Sequence, residues 1–131
     1  MEPIKIQPTR NTPAVLLDPN RGVFKIYGRS SPENSIQFYD PIKDVLANQI
    51  NGNTLDVRIK MEYFNTSSSK CIYDLLKEIK SLSDKGKEVI VRWYYEEDDE
   101  DMLEAGEDYS DLLDLPFKFI EFHPDQYQRS A

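Results

Sequence analysis

Residues 55–63, Leu-Asp-Val-Arg-Ile-Lys-Met-Glu-Tyr, alternate apolar and polar side chains without a fault. Successive strand residues point to opposite faces, so this segment has one dry face and one wet face. A strand covered on both sides would read as a continuous apolar run. The pattern therefore predicts a sheet with helices on one face and solvent on much of the other. Just beyond it the period changes, and Cys71, Ile72, Leu75, Leu76, Ile79 and Leu82 recur at helical spacing. Lys80 and Lys85 lie near the end of that stripe, where Gly86 is placed to cap it.

The other segments extend this scheme. Val15–Leu17 and Val23–Tyr27 are short β-like runs separated by Asp-Pro-Asn-Arg-Gly, which predicts an opening hairpin. Ser31, Pro32 and Glu33 have the chemistry of a helix start, with Ser31 as cap. Tyr39, Ile42, Leu46 and Ile50 follow at helical spacing, and Asp40-Pro41 should kink or restart that helix. Val89–Tyr95 reads as an interior strand, Met102, Ala105, Tyr109 and Leu113 as an acidic amphipathic helix ended by Pro116, and Phe117–Phe122 as the last strand. Strand, helix, strand, helix, strand over 55–122 implies two crossover helices and parallel pairing. The expected fold is α/β, a single domain over 1–131. It has a mixed sheet of about five strands, a core over about 12–122 and a loose polar tail over 123–131.

Composition narrows the function. A hydrophobic content of 39% suits a folded globule. No run reaches the ~18 apolar residues of a membrane span, and the first residues lack the form of a secretory signal. The lone Cys71 has no partner for an internal disulfide, so the expected compartment is the cytoplasm. Net charge is −8, and residues 96–114 hold eleven Asp or Glu with no Lys or Arg. That balance argues against nucleic acid and anionic membranes as partners and leaves proteins open.

The junction between the alternating strand and the helical stripe is Tyr-Phe-Asn-Thr-Ser-Ser-Ser-Lys, residues 63–70. Asn65 or Thr66 can cap the helix, which stabilises it by ~1 kcal/mol, yet a cap needs only one or two of these residues. Ser67 and Lys70 fit the Ser-x-x-Lys pattern of acyl-transfer enzymes, but neither Ser-Asp-Asn nor Lys-Thr-Gly follows. A third use is phosphorylation. A phosphate on any of the four hydroxyls would meet free N–H groups and the positive end of the helix, so the domain would tolerate it. The acidic run 96–101 lacks calcium-loop spacing and suits a helix start. One cysteine and the single His123 build neither a common zinc site nor a His-based triad, and no cofactor or metal is expected. Cys71, on the apolar stripe, reads as core.

Four segments together resemble the SiaC family of bacterial regulatory phosphoproteins: Thr12-Pro13, Gly-Arg-Ser-Ser-Pro-Glu-Asn at 28–34, the junction at 63–70, and Trp-Tyr-Tyr followed by the acidic run at 93–102. The resemblance covers about Thr12 to Phe122. It implies a fold like the STAS domain of anti-sigma-factor antagonists. It also implies a non-enzymatic protein phosphorylated by a serine/threonine kinase and restored by a PP2C-like phosphatase. The unmodified form would bind and activate a diguanylate cyclase. The modified residue implied is Thr66, with Asn65, Ser67, Ser68, Ser69 and Lys70 as its partner-facing surroundings. The alternative is an anti-sigma-factor antagonist, although those proteins commonly carry Asp-Ser-x-Gly where this chain has Asn-Thr-Ser-Ser.

Overall fold

A computed structural model of the protein describes residues 2–123. Six strands form one sheet in sequential order: β1 (Ile4–Ile6), β2 (Ala14–Asp18), β3 (Val23–Ser30), β4 (Thr54–Phe64), β5 (Glu88–Glu96) and β6 (Phe117–Phe122). The first three pair antiparallel, and β3 to β6 pair parallel. Each parallel step is bridged by a helix: α1 (Ser35–Asn48), α2 (Thr66–Asp84) and α3 (Glu100–Leu113). Crossovers of this kind are almost always right-handed, and a sequential strand order then sends all the helices to one face.

Burial follows the alternation. Leu55, Val57, Ile59 and Met61 of β4 are buried, and the same face receives Phe24 and Ile26 of β3 and Val91 and Trp93 of β5. All six members of the predicted α2 stripe are buried against it. The helix ends in a double bond of cap type: Gly86 N–H reaches the Ser83 carbonyl at 3.0 Å and Lys87 N–H the Leu82 carbonyl at 3.1 Å. Gly86 supplies the positive φ of 97° that this geometry needs.

The hairpin closes at Gly22, whose φ is 70° and where a Cβ would lie 2.2 Å from the Thr54 carbonyl oxygen. Three expectations are corrected. The sheet has six strands, because Ile4–Ile6 adds an edge to β2. There are three crossover helices, because α1 also joins parallel neighbours. And α1 begins at Ser35 with Asn34 as cap, its side chain accepting from Gln37 N–H at 3.1 Å, not with Ser31. The strand β3 claims the chain as far as Ser30, and Ser31 N–H is spent on the Asn11 carbonyl at 2.7 Å. The expected restart at Pro41 is also absent, since α1 runs through it. Pro41 and Gln37 are both exposed, so the carbonyl deprived of its partner faces water. Residues 124–131, nearly all of the expected tail, lie outside the described residues.

Candidate functional site

The strand β4 delivers the chain to the helix start through Asn65. Its N–H donates to the Ser30 carbonyl at 3.0 Å, and its side-chain oxygen accepts from Ser68 N–H at 2.8 Å, capping α2. Thr66 is the first residue of the helix and is exposed, as are Ser67 and Lys70. Ser68 and Ser69 turn the other way. Ser68 is fully buried and leaves the expected partner-facing surface. Its hydroxyl accepts from Ser30 Oγ at 2.8 Å, and Ser30 Oγ lies 2.6 Å from the Tyr39 hydroxyl. Ser69 is half-buried under α3. The Tyr109 hydroxyl donates to the Ser69 carbonyl at 2.8 Å, so it accepts from Ser69 Oγ at the same distance. These bonds explain the surplus serines: small hydroxyls let three elements meet with their buried polar atoms satisfied.

Ser67 ties the exposed layer to α1. Its Oγ lies 2.7 Å from Ser35 Oγ and 3.2 Å from Asn65 Oδ1. Its partners are therefore a hydroxyl and an amide, neither of them a base that would activate it for acyl transfer. The same contact brings the N-termini of α1 and α2 side by side. Neither helix has an acidic residue in its first turn, whereas α3 has Glu100 and Asp101 there. Thr66 thus stands where two positive helix ends meet with no carboxylate of their own first turns to offset them.

Around it lies a surface that the sequence did not flag. Ile36 is 65% exposed and Tyr63 43% exposed, and the Arg29 guanidinium sits 5.1 Å from the Tyr63 ring centre. A cleft of roughly 310 Å³ between α1 and α2 is lined by Ile36, Tyr39, Lys43, Ser67, Lys70 and Cys71. Ile36 is hidden in the sequence because it lies three residues before Tyr39 and reads as core. Tyr63 would continue the β4 alternation onto the core side, but the register shifts between Gly28 and Arg29, so Tyr63 pairs with Arg29 on the helix-free side and Phe64 takes the core side against Trp93. Burial pushes the Tyr39 phenol up to about 12, and it raises the Cys71 thiol as well, so both are neutral at pH 7. His123 pairs with Glu97 at 2.7 Å, and Asp99 caps α3 by accepting from Met102 N–H at 3.0 Å.

A family model described as SiaC family regulatory phosphoprotein matches residues 6–122. The chain belongs to the SiaC family. Its fold is that of solved SiaC structures. It superposes on apo-SiaC from Pseudomonas aeruginosa with a TM-score of 0.82 at 29% identity, covering 92% of this chain and 99% of that one. A chain in the crystal structure of the diguanylate cyclase SiaD in complex with its activator SiaC, from the same organism, matches with a TM-score of 0.84 at 28% identity, covering 91% and 99%. An uncharacterised protein of Pseudomonas aeruginosa strain UCBPP-PA14 is 29% identical over 119 residues, 89% of this chain and 94% of its own length. The SiaC family therefore spans the sheet, the three helices and the hydroxyl junction alike. No helix among the described residues is long and apolar enough to cross a membrane.

Proposed function

We propose that this protein is a non-enzymatic cytoplasmic switch that binds and activates a diguanylate cyclase when Thr66 is unmodified and releases it when Thr66 carries a phosphate. A serine/threonine kinase adds the phosphate and a PP2C-like phosphatase removes it. The observation that carries the reading is the position of Thr66: exposed, first in α2, and beside a second helix N-terminus. A dianionic phosphate there meets N–H groups and positive helix ends, so the fold tolerates it. A partner seated over Thr66 and Ile36 would not tolerate it, because apolar contact strips water from the added charge. The similar chain in a complex with a diguanylate cyclase makes a cyclase the natural effector.

Peptide mass spectrometry of the protein from its native cell tests the site. The expected result is phosphate localised to Thr66. Phosphate confined to Ser67 or Ser69, or absent under all growth conditions sampled, overturns it. In pull-downs, Thr66→Ala should retain the cyclase constitutively and Thr66→Asp should lose it while keeping its thermal midpoint.

A further inference from the structure

The sheet face turned away from the helices carries a charge pattern invisible along the chain. Lys5, Leu16, Lys25, Arg58, Arg92 and Lys118 are register partners in turn, one on each strand from β1 to β6. Each lies one residue from a core-facing neighbour, so all six share the open face. Five cations thus stand in one row across a protein whose net charge is −8. Like charges directly opposite on neighbouring strands are unfavourable, and this row has three such steps in succession from Lys25 to Lys118. Asp56 offsets the middle one, bonding Arg92 at 2.6 Å and Arg58 at 3.2 Å. Among the described residues, no carboxylate forms an ion pair with Lys5, Lys25 or Lys118. Beside the row runs a half-buried strip with Tyr27, Tyr94, Ile120 and Phe122, and Lys60 Nζ lies 4.3 Å from the Phe122 ring centre.

We propose that this face docks an acidic amphipathic helix of another protein, laid along the row and across the strands. The face is a sheet surface and not a concave pocket, which favours a macromolecule over a small ligand. Neighbouring strands are ~4.8 Å apart and one helical turn rises ~5.4 Å, so carboxylates one turn apart meet successive cations. Apolar residues on the adjoining side of such a helix would cover the aromatic strip. A polynucleotide fits less well, because a long polyanion meets the repulsion of the whole acidic chain while a short helix meets only the row. The inference is independent of Thr66, which lies at the start of α2 on the other side of the sheet.

The test uses two fluorescein-labelled, stapled helical peptides of identical composition, followed by anisotropy at low salt with the full chain. One carries its glutamates as a single stripe beside a leucine stripe; the other has them spread around the helix. The striped peptide should bind at least about tenfold tighter. The double variant Lys25→Glu/Lys118→Glu should abolish that preference, and Lys77→Glu on α2 should not. Circular dichroism and thermal midpoints verify that the variants fold, and the exposed Lys5→Glu and Lys118→Glu single variants serve if the double variant does not. Equal binding of both peptides overturns the proposal, as does indifference to the row variants or displacement by an equimolar single-stranded oligonucleotide. Sedimentation of the protein alone decides a further outcome. Self-association abolished by the double variant would make the occupant a second copy and overturn the partner helix.

Discussion

The Ser30 hydroxyl donates to the Ser68 hydroxyl across 2.8 Å, although 38 residues separate the two. Both side chains are fully buried, and the pair welds the end of β3 to the first turn of α2 directly beneath Thr66. With the Tyr39 hydroxyl 2.6 Å from Ser30, the chain of hydroxyls also reaches α1. The network holds the backbone around Thr66 in place, since each member has a buried polar atom that needs its neighbour.

Removing the centre of the network should therefore cost more than one ordinary bond. Ser30→Ala leaves the Tyr39 and Ser68 hydroxyls each short of a partner in a buried setting. The expected loss is about 1–3 kcal/mol, read as a lower urea midpoint with unchanged slope. A midpoint within error of wild type would mean that water or a rotated hydroxyl replaces the Ser30 oxygen.

Alkaline pH should weaken the fold through Tyr39. Its folded pKa is raised from 10.0 to about 12, chiefly by burial, so the folded state holds the phenolic proton more tightly than the unfolded chain. That stabilisation is fully present below pH 10 and fades as pH climbs toward 12, by about 3 kcal/mol for a shift of two units. Tyr109, raised in the same direction by burial, adds to the decline. Urea unfolding at pH 9 and pH 11.5 should show a steeper fall for wild type than for Tyr39→Phe, which has no proton to lose there. Equal falls would assign the alkaline limb to other groups.

Gly106 should resist even alanine. It is buried in α3, and an added Cβ would lie 2.6 Å from two atoms of the Trp93 indole. Trp93 is fully buried, donates to the Met102 carbonyl at 2.9 Å and stacks on Phe117, so it has little room to move. Gly106→Ala should destabilise by about 1–3 kcal/mol despite alanine's better helix propensity, measured as a drop in thermal midpoint. A higher midpoint would show that the indole and α3 separate freely.

The cap at the junction gives a smaller, more local effect. Asn65→Ala removes the oxygen that accepts from Ser68 N–H and Ser67 Oγ. The expected cost is about 1 kcal/mol, with faster amide exchange confined to the first turn of α2. Asn65→Asp should retain most of the stability, because a carboxylate also caps.

How far these features were readable differs by kind. Patterns that repeat within one element were plain: the β4 alternation placed Leu55 to Met61 inside, and the α2 stripe placed Cys71 to Leu82 against them. Punctuation was readable only where nothing competed. Gly86 ended α2 as its chemistry suggests, but the helix-start signal at Ser31-Pro32 lost to β3, which holds the chain through Ser30. Pro41 did not break α1 because its missing N–H falls on the solvent side. Ile4–Ile6 was too short a run to stand out. At the site, the start of α2 at Asn65 and Thr66 was legible from the change of period, whereas the choice of Thr66 among four hydroxyls came only from the family resemblance. The roles of Ser68 and Ser69 were not, since their partners, Ser30 and Tyr109, lie 38 and 40 residues away. The basic row is the extreme case, with one cation on each of five strands and no two adjacent in sequence.

The central claim is that a phosphate on Thr66 alone decides partner binding. The direct measurement is calorimetric titration of the cyclase with the protein carrying phosphothreonine at position 66 throughout, beside the unmodified protein. The account predicts a loss of ~3–4 kcal/mol, an affinity several hundredfold weaker, with the thermal midpoint of the switch protein unchanged. Equal affinities for the two forms would contradict it.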